Sequence, residues 1–135
     1  MRRPIAVFML ALFSATGAAI AAETVEPLIP QSSEGIRYLS GGIGEDELAQ
    51  IEAAKTSYNV KILLAEKSGH YISEVRLTLS SLLGEKLVDI PSAGPFVLLQ
   101  VPTGTYQIDA TYEGHAQQRR ITINAARPLS AVLFW

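Results

Sequence analysis

The sequence predicts a mainly β fold, an antiparallel β-sandwich of six to seven strands preceded by one amphipathic helix. Beyond residue 58, short segments alternate apolar and polar side chains, which is the period of a strand with one buried face. Turn residues interrupt these segments roughly every 8–12 residues, a spacing typical of sandwiches. Only residues 45–57 follow a helical period instead. A closed barrel is the structural alternative for the same pattern.

The helix is predicted over residues 45–57 because Leu48, Ile51 and Tyr58 recur on one face at about the helical repeat of 3.6 residues. Its first turn carries three acids, Glu45, Asp46 and Glu47. Their carboxylates favour the positive end of the helix dipole, which supports a helix start at this point.

The strand phases follow from the alternation. In "NVKILLAEK" and "ISEVRLTLS" the residues predicted to face inward are Val60, Ile62, Leu64, Val75, Leu77 and Leu79. The stretch "YQIDATYEGHAQQRRITI" predicts a hairpin closed by "EGHA", with Ile108 and Ala110 inward on one strand and Ile121 and Ile123 inward on the other. The final "LSAVLFW" carries no charge and predicts a last strand that is largely buried between the sheets.

Residues 1–21 have the pattern of a secretory signal peptide: Arg2 and Arg3, then an apolar stretch, then small residues. Cleavage is predicted after Ala21, with cleavage after Ala22 as the alternative. An uncleaved anchor is the competing interpretation, but the apolar stretch is shorter than the roughly 20 residues of a spanning helix. Residues 22–35 then form a flexible leader, and residues 36–135 a single domain.

The chain contains no cysteine, which excludes disulfides, thiolate metal sites and cysteine nucleophiles. A short signal on a cysteine-free domain is typical of a bacterial envelope protein, so we predict a periplasmic location with no membrane span after cleavage. Loss of Arg2 and Arg3 leaves nine Lys and Arg against 13 Asp and Glu, a net charge of −4. This acidity argues against nucleic acid as a partner, and "QRR" is too short to count as a basic patch.

The string "GPFVLLQVPTGTYQIDATYEGHAQQRRITI" resembles carboxypeptidase regulatory-like domains, which are prealbumin-like (transthyretin-like) β-sandwiches. The shared features are an apolar strand, Pro102-Thr103-Gly104-Thr105-Tyr106, an alternating strand, a glycine turn and a returning strand. In this motif Gly104 is expected to supply an unusual backbone conformation, and the Tyr106 hydroxyl to bond near the sheet edge. The upstream "YLSGGIGEDE" and the helix resemble a group of small secreted proteobacterial proteins of unassigned function. The resemblance implies an accessory or spacer role and carries no catalytic residues with it.

Several motifs that could form a functional site lack a residue that the corresponding chemistry requires. "GGIGEDE" lacks the Lys-Ser/Thr of a phosphate loop, and its acids would repel a phosphate. His70 and His115 lie in predicted turns and would bind a metal only if those turns converged with a further ligand, so no cofactor or metal is predicted. No Gly-x-Ser-x-Gly elbow or facing pair of carboxylates is evident, and no enzyme is predicted. An outer-membrane-type ending is disfavoured because Val132 and Phe134 interrupt the alternation.

Two functions remain. The first is a non-enzymatic accessory or protein-interaction module whose partner is another envelope protein. Its predicted contact residues are Tyr38, Glu45, Asp46 and Glu47. The alternative is a carbohydrate-binding module of the envelope that uses exposed aromatic and turn residues. Its predicted contact residues are Tyr38, Tyr71, His70 and His115, with Trp135 joining them if it is exposed.

Overall fold

The structure is a computed structural model that describes residues 27–124 and 126–135. The predicted signal peptide, both predicted cleavage sites and residues 22–26 of the predicted leader lie outside the described residues. In the described part the chain forms nine strands, one α-helix and one 3₁₀ turn. In chain order they are β1 (Gln31–Ser33), β2 (Ile36–Gly41), α1 (Gly44–Ala54), the 3₁₀ turn (Lys55–Ser57), β3 (Val60–Ala65), β4 (Val75–Ser81), β5 (Lys86–Ala93), β6 (Phe96–Gln100), β7 (Gly104–Tyr112), β8 (His115–Ile123) and β9 (Leu129–Phe134).

The strands form two sheets that pack face to face, which confirms the predicted sandwich. The first sheet, sheet A, has the order β1-β2-β6-β3-β9, and the second, sheet B, has the order β5-β4-β7-β8. Every described pairing is antiparallel except β3 with β9, which is parallel. The inward phases predicted from the alternation are confirmed, since Ile62, Leu64, Leu77, Leu79 and Ile108 are all fully buried between the sheets.

The predicted hairpin is confirmed as β7 and β8, with Tyr112 opposite His115 and Gly104 opposite Ile123. Its turn is the dipeptide Glu113-Gly114, with φ of 47° and 80°. Two successive left-handed residues match the right-handed twist of the flanking strands, and the second position is one that glycine occupies without steric cost. The β7–β8 hairpin is therefore determined by local sequence.

The predicted helix is confirmed on the outer face of sheet A, with its last three residues in a 3₁₀ turn. It buries Ile51 and packs onto Leu39, Phe96 and Leu98 of β2 and β6. This second contact layer explains why "FVLL" reads as an unbroken apolar run, because β6 is covered by the helix on one face and by sheet B on the other.

Two strands precede the helix, β1 within the predicted flexible leader and β2 at the start of the predicted domain, where the alternating pattern predicted no strand. Gln31–Ser33 pairs with Ile36–Gly41 across the turn Glu34-Gly35, and Ile36–Gly41 then pairs with β6 inside sheet A. The part of the predicted leader at residues 31–33 is therefore a strand. Local pattern did not identify these segments, because β1 has only three residues and β2 is stabilised by pairing with β6, which lies nearly 60 residues further along the chain.

The last strand was predicted to be buried between the sheets, and this expectation is wrong. β9 is an edge strand of sheet A that pairs only with β3. Leu133 is its one buried residue, and Phe134 is 49% exposed. An apolar run marks a strand but does not indicate how many neighbours it has, and here one neighbour is missing.

The Pro-x-Gly-x-Tyr motif has a clear physical basis that differs in one respect from the expectation. The Tyr106 hydroxyl donates to the carbonyl oxygen of Pro102 at 2.9 Å, as expected. Gly104, however, is not in the left-handed region. A Cβ at Gly104 would lie 3.3 Å from the Tyr106 hydroxyl and 3.4 Å from its ring, so glycine is favoured here because it leaves room for that ring.

We expect Tyr106→Phe to lower the free energy of unfolding by about 1 kcal/mol, because it removes one hydrogen bond without changing the packed ring. Chemical denaturation followed by circular dichroism measures the change. Tyr71→Phe is the matched control, since no hydrogen bond of the Tyr71 hydroxyl is found among the described residues. Equal stability of the Tyr106→Phe protein and the unsubstituted protein would contradict the role given to the hydroxyl.

Candidate functional site

The acids predicted as a contact surface divide into two kinds. Glu45 and Asp46 are exposed on the first turn of α1. Glu47 is half-buried, and its Oε1 accepts hydrogen bonds from the backbone N–H groups of Gly42 (3.2 Å) and Ile43 (3.3 Å). Because Ile43 occupies the N-cap without a capping side chain, Glu47 supplies the cap from within the helix. Glu47 therefore stabilises its own helix start.

Tyr38 does not lie beside these acids. It is half-buried on the inner face of β2, packed against the main core, whereas α1 lies on the outer face of the same sheet. Tyr38 pairs with Leu99 at the Val60 end of sheet A, about 16 Å along β3 from the end where Tyr71 bridges to Ala65. The structure therefore separates Tyr38 from both sets of residues with which it was grouped.

Two turns and the end of β9 converge at one end of the sandwich around a cleft, the end cleft, with a volume of about 580 Å³. Its lining residues are Glu66, Lys67, Ser68, Tyr112, Glu113, His115, Gln117, Phe134 and Trp135. The predicted residue His115 lies in this lining and His70 does not. His70 is exposed on the neighbouring turn, with its Nδ1 3.1 Å from Ser68 Oγ. Among the described residues no group of three or more potential metal ligands is found.

The aromatic residues of the end cleft meet edge to face. The rings of Tyr112 and Trp135 lie 6.0 Å apart at 68°, and the Trp135 indole N–H donates to the His115 carbonyl at 2.9 Å. Partial burial raises the pKa of the Tyr112 phenol, and the carboxylates of Glu113 and Glu66 add to the shift. A second cavity of about 480 Å³ shares these two acids and Tyr112 and adds Tyr71, which is 54% exposed.

Tyr71 packs edge-on against Phe96, with ring centroids 5.3 Å apart at 88°. Tyr71 and Phe134 flank Ala65 on the outer face of sheet A, since Ala65 bridges to Tyr71 on one side and pairs with Phe134 on the other. The helix covers β2 and β6 and leaves the outer face over β3 and β9 only partly covered: Tyr71 and Phe134 are exposed, and Leu63 and Val132 are half-buried. We call this the uncovered face. Its apolar residues are Leu63, Tyr71, Val132 and Phe134.

The open side of β9, the β9 edge, presents backbone groups of alternate residues. The N–H groups of Leu129 and Trp135 donate to Asn59 and Ala65, so the odd-numbered residues bond to β3. In a parallel ladder the residues between them turn their backbone groups to the other side. Ser130, Val132 and Phe134 therefore direct their N–H and C=O groups away from sheet A.

Two carbonyls of the β9 edge accept hydrogen bonds from side chains of β8. Arg119 Nη1 donates to the Val132 carbonyl at 2.8 Å, and Gln117 Nε2 donates to the Phe134 carbonyl. The outward N–H groups of Ser130, Val132 and Phe134 have no such partner within residues 27–124 and 126–135. Side chains thus satisfy acceptors at this edge while its donors remain available.

A groove of about 510 Å³, the arginine groove, runs between β8 and β9. Its lining residues are Arg119, Arg120, Ile121, Thr122, Leu129, Ser130, Ala131, Val132 and Phe134. The ion pairs found in the described chain use other cations, and neither Arg119 nor Arg120 belongs to one. The sequence interpretation dismissed "QRR" as too short, but residues 114–135 contain three arginines and no Asp or Glu. That local absence of acids in a net-acidic chain is the signal that identifies this groove.

No helix in the described chain combines the length and apolar character that crossing a bilayer requires. A scan against models of protein families finds no match to this sequence, and a search of curated proteins finds no relative. The geometry of the β9 edge, the arginine groove and the end cleft is therefore the basis on which function is inferred.

Proposed function

We propose that this chain is a non-enzymatic accessory module that binds another protein of the bacterial envelope. We propose further that β9 and the uncovered face form its contact surface. The envelope location is proposed from the predicted signal peptide at residues 1–21. The accessory role is proposed from the resemblance to carboxypeptidase regulatory-like sandwiches. The observation that carries it is the open β9 edge beside exposed apolar side chains.

An edge strand with exposed donors is a template for pairing with another chain, and proteins usually shield such edges. The aromatic rings of Phe134 and Tyr71 lie next to this edge, 49% and 54% exposed. A contiguous apolar patch next to unpaired backbone donors is a combination that protein interfaces use. Glu45 and Asp46 lie outside this patch, on the first turn of the helix that covers the other half of the face.

Site-specific photocrosslinking in intact cells tests the proposal. A photoreactive phenylalanine analogue replaces Phe134 in one strain, Glu45 in a second and Leu83 in a third. Leu83 is the control, since it is 98% exposed at the tip of the β4–β5 hairpin and is not part of the contact surface. We expect a discrete adduct with an envelope protein from position 134 and none from position 83.

An adduct from position 45 alone would move the contact surface to the helix start. No adduct from positions 134 and 45 would contradict the proposal. Phe134→Ser should abolish co-purification of the crosslinked partner while leaving the circular dichroism spectrum unchanged, because the ring is half exposed and its loss empties no core cavity.

The second candidate function is carbohydrate binding at the end cleft, and one observation favours it: Trp135, Tyr112 and His115 line a common cavity. Trp135 is the sole tryptophan of the chain, so its fluorescence reports directly on that cavity. Titration with peptidoglycan fragments and envelope oligosaccharides should shift the emission if sugars bind. A ligand at about 10 times its Kd should also add about 1.4 kcal/mol of stability. A flat fluorescence and thermal-shift panel would reject this function.

A further inference from the structure

We infer that the ligand of the β9 edge is an extended acidic segment of the partner protein, which adds to sheet A as a further strand and places its carboxylates on Arg119 and Arg120. This inference rests on the proposed function and specifies the chemistry of the partner. Three observations carry it: the spacing of the outward backbone groups, the unpaired arginines of the groove, and the way Arg119 is held in the absence of a partner.

The backbone groups select an extended polypeptide. Ser130, Val132 and Phe134 present outward N–H groups at every second residue, which is a repeat of about 6.6 Å along the strand. A strand added beside β9 offers carbonyls at the same repeat, as in recognition of peptides by β-augmentation. The apolar side chains of the added strand would then contact the uncovered face, where Phe134 is exposed and Val132 half-buried.

The charge of the groove selects acidic side chains. Arg119 and Arg120 are the charged residues of its lining, and no carboxylate accompanies them. Both side chains are exposed. Arg120 lies opposite the neutral Gln107 on β7, and Arg119 lies opposite Ile108, so neither has a carboxylate directly across the sheet. A guanidinium binds a carboxylate with two parallel hydrogen bonds, which makes arginine well suited to such a segment.

The bond of Arg119 to β9 couples the two features. Arg119 donates to the Val132 carbonyl and Gln117 donates to the Phe134 carbonyl while the edge is open. An added strand brings its own N–H groups to these carbonyls and replaces the side-chain donors. The released guanidinium of Arg119 then pairs with a carboxylate of the same strand, so that no buried donor is left without a partner.

Peptide binding to the purified chain tests the inference, with the chain expressed from the full-length sequence and purified from the periplasm. The probes are three fluorescein-labelled seven-residue peptides that alternate valine with glutamate, glutamine or lysine. We expect the glutamate peptide to bind about tenfold more tightly than the glutamine peptide, and the lysine peptide to show no binding. Raising the salt concentration from about 50 to about 300 mM should weaken the glutamate peptide most.

Matched variants separate the charge from the backbone. Arg119→Gln and Arg120→Gln should each weaken the glutamate peptide about tenfold, whereas Lys86→Gln, which removes one charge on β5 at the far edge of sheet B, should not. Val132→Pro removes one outward N–H while leaving the bonds between β3 and β9, because proline is tolerated on the open side of an edge strand. It should abolish binding of the peptide, and Val132→Thr should not. Circular dichroism of each variant checks that the sandwich is retained.

Several outcomes would overturn the inference. Equal affinity for the glutamate and glutamine peptides would contradict an acidic ligand. If position 134 still gave crosslinks in cells, the proposed function as a protein-binding module would be retained and only the acidic chemistry of the partner would be rejected. Binding of polygalacturonate that Val132→Pro leaves unchanged would assign the groove to an acidic polysaccharide. A dimer that forms without peptide and is lost in Val132→Pro would assign the edge to a second copy of this chain.

Discussion

Replacing Asn59 with leucine should lower the free energy of unfolding by about 2–4 kcal/mol, a large share of the about 5–15 kcal/mol that holds a typical domain folded. The Asn59 side chain donates from Nδ2 to the Val101 carbonyl at 2.6 Å and accepts at Oδ1 from the Val101 N–H at 2.8 Å. Its backbone also pairs with Leu99 and Leu129. The side-chain amide therefore extends the ladder of sheet A to a residue beyond the end of β6. Leucine fills the space but leaves both buried groups of Val101 without a partner.

Urea denaturation of the leucine variant measures this loss. Asn124→Leu is the matched control, because the Asn124 side chain bonds to the Ala126 N–H in an exposed turn where water replaces it. Its cost should stay below about 1 kcal/mol. If Asn59→Leu were as stable as Asn124→Leu, the paired bonds to Val101 would have no energetic role.

Asn59→Asp makes the same site sensitive to pH. A protonated aspartic acid donates to the Val101 carbonyl and accepts from its N–H, as asparagine does, whereas the ionised form directs a charged oxygen at that carbonyl. The folded state therefore favours the protonated form and raises the pKa of the introduced carboxyl above its unfolded value. The added stability is present below the unfolded pKa and is lost as the pH rises through the folded pKa. Relative to the unsubstituted protein, the variant should be more stable at about pH 4 than at about pH 7.

Gly94→Ala should lower the free energy of unfolding by about 2–3 kcal/mol, because the added Cβ would clash with the backbone of Gly41. Gly94 lies where the chain crosses from sheet B to sheet A, and its N–H donates to Ser40 Oγ at 2.7 Å. A Cβ at this position would lie 2.9 Å from both the Cα and the carbonyl oxygen of Gly41. Neither group is a flexible side chain, so β2 must move away from the crossing.

Gly84→Ala is the matched control for this effect. Gly84 has φ of 86° in the β4–β5 turn, and a Cβ there would have open space around it. Its substitution costs only the conformational strain of about 1–2 kcal/mol. Amide hydrogen exchange distinguishes the two variants, since Gly94→Ala should raise exchange in the β2–β6 ladder and Gly84→Ala only at the hairpin tip. Unchanged protection of β2 in Gly94→Ala would contradict the proposed clash.

Local periodicity predicted the elements that local forces determine. The helix face with Ile51, the inward phase of Ile62 and Leu77, and the β7–β8 hairpin all follow from residues within a few positions of one another. The strand β1 was missed because it is only three residues long, and β2 because its partner β6 is distant in sequence. The burial of β9 was predicted wrongly, since a run such as "LSAVLFW" is equally compatible with one neighbouring strand or two.

The candidate sites divide in the same way. His115 was predicted as a turn residue and Tyr71 as an exposed aromatic. The structure places His115 at the start of β8 and brings both residues to the same end of the sandwich as Trp135. Tyr38 was grouped with the helix acids by proximity in sequence, but β-strand alternation places it on the opposite face of sheet A. The role of Arg119 depends on β9 lying beside β8, a contact that no local pattern encodes.

The fold class, the helix, the hairpin and the charge of residues 114–135 follow from the amino-acid sequence, because the period of side chains, the turn dipeptide and the composition are local properties. Only the folded chain shows that β9 is an open parallel edge and that its outward donors lie beside two arginines without ion-pair partners among the described residues. These features depend on which distant segments pair. Pairing is set by the burial of the whole core, which no single segment of the sequence specifies.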